Sequence, residues 1–115
     1  MDVRQLAHKL KKGDENALSE IITEFSPVTA AVIYNLSGES ISRSDREEVL
    51  ADTFAALWFN RKKISEERIA GYIICIAKNK TRDKIKTVTR KSAVSIEEID
   101  IEDEITISDT IESEA

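Results

Sequence analysis

Only three glycines and one proline interrupt 115 residues. That scarcity constrains the fold more than any other feature, because turn-rich β architectures use glycine and proline at each chain reversal. Long, uninterrupted helices are what such a sequence can build. Ala, Glu and Lys, all good helix formers, are among its commonest residues. The length suits one domain with one modest core. An all-α fold is expected: a compact bundle of about four main helices over residues 1–91, then a flexible acidic tail or interdomain linker over 92–115.

The apolar spacing locates the helices. Val3, Leu6, Ala7 and Leu10 follow i, i+3, i+4, i+7 and mark a short first helix. Gly13 is placed to end it and Asp14 to cap the next. In the second segment Leu18, Ile21, Ile22, Phe25, Val28, Val32, Ile33 and Leu36 form the expected buried stripe. Pro27 lies inside it and either kinks one long helix or opens a new one with Ser26 as its cap. Gly38 is a stop. Ser44-Asp45-Arg46-Glu47 reads as a capping box for a third helix, whose apolar face is Leu50, Phe54, Leu57 and Trp58. The basic break Asn60-Arg61-Lys62-Lys63 precedes a fourth helix, capped by Ser65 and starting near Glu66. In that helix Ile69, Tyr72, Ile73, Ile76 and Ala77 are expected to point inward, with fraying somewhere in Thr87–Lys91.

Charge is distributed unevenly. Nine of the 22 acids lie after Lys91 and none of the 17 Lys+Arg does, so residues 1–91 carry 17 basic against 13 acidic side chains, a net of +4. The overall −5 conceals a basic body. From Ser92 onward Ile96, Ile99, Ile101, Ile105, Ile107 and Ile111 alternate with acids, without an aromatic residue or a partner strand. Truncation after Lys91 is therefore expected to leave the fold intact.

Several function classes find no support. The single Cys75 forms no internal disulfide and suits a reducing compartment. His8 and Cys75 are too isolated for a metal site, and no phosphate-cradling glycine loop is present. No cofactor and no catalytic residue are expected, so the chain does not read as an enzyme. The charged start Met1-Asp2-Val3-Arg4 is unlike a signal peptide, and no apolar run approaches the roughly 20 residues of a membrane span. The expectation is a cytoplasmic protein with no membrane insertion.

Two surfaces stand out. Lys78, Lys80, Arg82, Lys84, Lys86, Arg90 and Lys91 crowd the fourth helix, relieved only by Asp83. Lys78, Arg82 and Lys86 recur every four residues and are expected to stack on one outer face. A solvated helix face is the plain reading. Tyr72, Trp58, Phe59 and Asn79 add stacking and base-edge groups, the combination that single-strand binding requires. On the third helix Glu48 and Asp52 stand at i, i+4, a like-charge pair that either remains solvated or meets a basic partner.

Residues 45–58, Asp-Arg-Glu-Glu-Val-Leu-Ala-Asp-Thr-Phe-Ala-Ala-Leu-Trp, resemble the second conserved region of extracytoplasmic-function sigma factors of the sigma-70 family. Gly71-Tyr72-Ile73-Ile74-Cys75-Ile76-Ala77-Lys78-Asn79, with Asp83 and Lys86, resembles the family's aromatic-Leu-x-x-Ile-Ala-Arg-Asn segment. Gly13-Asp14-Glu15-Asn16-Ala17-Leu18 is similar to the Gly-Asp opening of the preceding helix. Together these motifs span about residues 1–91.

The resemblance implies a domain that binds bacterial core RNA polymerase and holds the melted minus-ten promoter element. Glu48 and Asp52, flanked by Leu50 and Trp58, would dock on the clamp helices of the largest subunit. Phe59, Asn60, Arg61, Lys62 and Lys63, with Tyr72, Lys78, Asn79, Arg82 and Lys86, would hold the non-template single strand. An anti-sigma factor is a further partner class. The chain departs from the pattern at Ala51, where many relatives carry glutamine, and at Tyr72, Lys78 and Lys86, which replace tryptophan and arginines. The family's helix-turn-helix domain is not in this sequence, and residues 92–115 resemble the linker leading to it. The rival reading is a helical protein-interaction module with no direct DNA role.

Overall fold

The computed structural model describes residues 2–92. Four α-helices build it: α1 (Val3–Lys11), α2 (Glu15–Ser37), α3 (Arg43–Phe59) and α4 (Ile69–Ser92). Two 3-10 turns, Arg61–Lys63 and Glu66–Arg68, connect α3 to α4. No strand occurs among the described residues. The fold is an all-α bundle in which α2, α3 and α4 pack pairwise and α1 lies across α2 and the connection. The acidic segment after Ser92 lies outside the described residues.

The breaks fall where local chemistry puts them. Gly13 adopts φ +90 between α1 and α2, in the left-handed region where a side chain would be strained. Asp14 caps α2 by accepting hydrogen bonds from the N–H groups of Asn16 (2.9 Å) and Ala17 (3.4 Å). Gly38, at φ +53, closes its far end. α2 runs unbroken through Pro27, which settles the alternative left open by the sequence. Pro27 and Thr23 are both exposed, so the carbonyl that loses its amide partner can be hydrated.

Three expectations about boundaries need correcting. Ser42, not Ser44, caps α3, accepting from the Asp45 N–H at 3.0 Å. The earlier start is fixed by Arg46, whose Nη1 donates to the Gly38 and Ile41 carbonyls at 2.8 and 2.9 Å. Ser65 makes no side-chain cap, and the chain passes through a 3-10 turn before α4 begins at Ile69. Buried Ile64 and Ile69 pin this connection from both sides. Finally, α4 continues to Ser92 instead of fraying in Thr87–Lys91.

The buried positions follow a simple rule. On α2 they are Ala17, Ile21, Thr29, Ile33 and Ser37; on α3, Val49, Thr53 and Leu57, with Phe54 beside them; on α4, Ile69, Ile73, Ala77 and Thr81, with Lys86 further along. Apart from Phe54 and Lys86, each set follows a four-residue row, the ridge along which helices interdigitate. Position on the ridge outranks polarity. Thr29 is therefore fully buried, whereas Val28, assigned to the buried stripe by its side chain alone, is 48% exposed. The hydroxyls of Thr53, Thr81 and Ser37 donate to the carbonyls of Val49, Ala77 and Ile33 at 2.7–2.8 Å. Thr29 Oγ1 finds no partner.

Candidate protein and nucleic-acid interface

α3 ends in the most exposed large apolar side chain of the described residues. Phe59 is 87% exposed, although Leu57, two positions earlier, is fully buried. Phe59 is eleven residues, or three turns, beyond Glu48, and so shares its face with Glu48, Asp52 and Ala55, all exposed. This stripe runs from acidic to apolar along the length of α3. Leu50 and Trp58 do not lie on it; Leu50 packs against both apolar clusters and Trp58 against the larger one.

The acidic part of the stripe already has one basic neighbour. Lys84 Nζ on α4 donates to Glu48 Oε2 at 2.9 Å. That hydrogen bond raises the Lys84 pKa above its ordinary value, with smaller support from the charges of Glu48, Asp45 and Asp52. Both groups keep solvent access, and Asp52 remains exposed.

Next to Phe59 the connection presents its cations unequally. Arg61 folds back, its guanidinium 4.1 Å from the Trp58 ring centroid and its Nη1 donating to the Trp58 carbonyl at 2.9 Å. Its Nε is buried without a hydrogen-bond partner. Asn60 is also used locally, its side-chain amide donating to the Ala56 carbonyl at 3.0 Å to close α3. Lys62 and Lys63 are exposed. Two cations and an aromatic thus face solvent, while Arg61 and Asn60 fasten the connection.

α4 corrects one expectation outright. Lys78 is exposed and Arg82 half-buried, but Lys86 is only 8% exposed, so the three do not form an outer stripe. A four-residue step advances about 40° around a helix of 3.6 residues per turn, and two steps carry Lys86 about 80° from Lys78. Tyr72 is half-buried against the larger apolar cluster. Asn79 is half-buried, and its Oδ1 lacks a hydrogen-bond partner.

α1 lies against the same connection, a neighbourhood that helix-by-helix reading of the sequence missed. The His8 ring Nδ1 lies 2.8 Å from Glu66 Oε2, and Arg4 is 3.8 Å from Glu67. The His8 contact holds the Glu66 carboxyl below its ordinary pKa, against some opposing burial. A shallow groove of about 480 Å³ between α1 and Glu66 is lined by Asp2, Arg4, Gln5, His8 and Lys9. The one available signal was the basic run at the end of α1, whose neighbours the sequence alone does not reveal.

Among the described residues no cluster of His, Cys, Asp and Glu could hold a metal ion. None of their helices is long and apolar enough to cross a membrane. Comparison with protein-family models, curated proteins and solved structures finds no match.

Proposed function

We propose that this bundle is a sigma-factor domain, binding core RNA polymerase through the α3 face and holding a melted promoter strand beside Phe59 and α4. The observation that carries the reading is Phe59, 87% exposed, with the exposed Lys62 and Lys63 three and four residues on. Leaving an aromatic ring in water forgoes about 1.5–3 kcal/mol of burial. A nucleobase stacked on that ring recovers the loss, and nearby ammonium groups neutralise its phosphates. A single strand offers its base faces freely, whereas a duplex must first be unstacked at a few kcal/mol per base. Lys78, Arg82 and the unspent acceptor of Asn79 extend the same chemistry along α4.

Polymerase docking rests on Glu48 and Asp52, which match the acidic docking positions in the resemblance and stand exposed on one face. Lys84 screens Glu48, leaving Asp52 as the less encumbered contact. A second reading has its own support: Glu48, Asp52 and Phe59 on one face would equally suit docking by a basic, apolar protein with no nucleic acid. Pull-down with bacterial core polymerase, paired with anisotropy on single-stranded and duplex DNA, separates the two. The sigma reading requires both polymerase capture, weakened at least tenfold by Glu48→Lys/Asp52→Lys, and preference for the single strand. Failure of the wild type in either assay overturns it.

A further inference from the structure

The corner where α1 meets the α3–α4 connection carries more positive charge than its own carboxylates neutralise. Arg61 Nη2 lies 3.8 Å from where a Cβ on Gly13 would stand, so the end of α1 adjoins the start of the connection. Three carboxylates here are already engaged, and a fourth, the exposed Asp2, lines the groove with Lys9. Glu66 pairs with His8, Glu67 with Arg4, and Asp14 caps α2. Lys9, Lys11, Lys12, Lys62 and Lys63 make no ion pair among the described residues. All but the half-buried Lys11 are exposed.

Lysines at the end of α1 have one ordinary explanation, the negative end of the helix dipole. That explanation does not extend to Lys62 and Lys63, which belong to the connection. Like charges on two adjoining segments repel one another, and a polyanion laid across both relieves that repulsion. The adjoining Phe59 selects among anions, because an exposed ring offers a stacking face that an unpaired base can use.

We propose that Lys9 and Lys12 of α1 bind the phosphate backbone of single-stranded nucleic acid, continuing past Lys62 and Lys63 a track that begins at Phe59. This rests on the strand-capture reading above and gives the strand a second direction, toward α1 and away from Lys78 and Arg82. The backbone contacts are electrostatic and independent of sequence.

Fluorescence anisotropy over a salt series tests it with the full chain. The probe is a labelled mixed-sequence single-stranded DNA of about 16 nucleotides, long enough to cover the surface of a small domain. Lys9→Gln/Lys12→Gln should weaken binding severalfold at low salt and flatten the log–log salt slope by about 1.4, at about 0.7 per lost contact. Lys12→Gln and Arg43→Gln remove the same charge, and only Lys12→Gln should change the slope. Thermal melting of each variant separates lost contacts from lost fold. An unchanged slope in the folded double variant, with wild-type binding intact, overturns the α1 track and leaves the strand-capture reading standing. No binding by the wild type overturns both. Binding to anionic phosphatidylserine vesicles without DNA binding assigns the corner to a membrane surface and overturns the track as well.

Discussion

Where α1 crosses the bundle and the α3–α4 connection folds back, Leu6, Leu10, Ile21, Phe54, Leu57, Ile64, Ile69 and Ile73 fill one large apolar cluster with Ala7 and Ala17. At the other end Ile33, Val49 and Ala77 form a cluster of their own, and buried hydroxyls occupy neighbouring ridge positions. The exposed ring of Phe59 and the exposed lysines adjoin the first end. The contrast shows how a small bundle accommodates unfavourable surface features. An exposed aromatic and crowded like charges are set on the larger apolar cluster, which also supplies the platform a binding site requires.

The largest effect tests the packing side of this contrast. Leu57→Ala should destabilise the domain by about 2–5 kcal/mol, and Ile33→Ala should fall lower in that range because fewer apolar side chains surround it. Urea denaturation of both variants measures this. A greater loss at Ile33 would reverse the assignment of the two ends.

Two residues along the same helix the outcome should invert. Phe59→Ala is expected to change stability by less than about 0.5 kcal/mol, as exposed substitutions generally do. It should nevertheless weaken single-strand binding by about 1–3 kcal/mol, the worth of one stacked base. A destabilised but binding-competent Phe59→Ala would move that residue from the surface to the core.

A smaller effect lies among the buried hydroxyls. Thr29→Val should raise stability by about 1 kcal/mol, because it removes a buried hydroxyl that has no partner. Thr53→Val should gain less, since its hydroxyl already donates to the Val49 carbonyl at 2.8 Å. Equal gains from both would indicate that Thr29 is solvated in solution.

The smallest effect is a pH dependence with two opposite signs. Glu66 is held below its ordinary carboxyl value of 4.5, so its link to His8 is fully present above that value. The link is lost as pH falls through the lowered pKa. Lys84 is raised above 10.5, so its contribution is complete below that value and lost as pH climbs through the raised pKa. His8→Gln should remove part of the acid-side dependence of the urea midpoint, and Glu48→Gln part of the alkaline-side dependence. Both differences should shrink in high salt because the pairs meet solvent. A salt-independent difference would mean that these contacts act through packing.

The all-α class, the first helix and the stops of the first two were legible without coordinates, because they depend on chemistry within one turn of chain; the continuity of α2 through Pro27 was not. Scarce glycine and proline permit long helices, Gly13 and Gly38 take positive φ, and Asp14 caps the residues that follow it. Spacing also put Glu48 and Asp52 on one face of α3. The four-residue ridges were harder to read. Thr29, Thr53 and Thr81 are polar, and an apolar-stripe reading passes over them in favour of residues such as Val28.

The site itself depended on which helices meet. The Lys84–Glu48 bridge joins residues 36 apart and the His8–Glu66 contact residues 58 apart, and no local pattern specifies either pairing. The burial of Lys86 and the packing of α1 on the connection have the same origin. Sequence alone determined the helical class, the stops at Gly13 and Gly38 and the supply of charge, because the cap at Asp14, left-handed glycines and i, i+4 spacing act over a few residues. Only the tertiary structure decided which charges are neutralised and which remain for a ligand, because ion pairing depends on distances that packing sets.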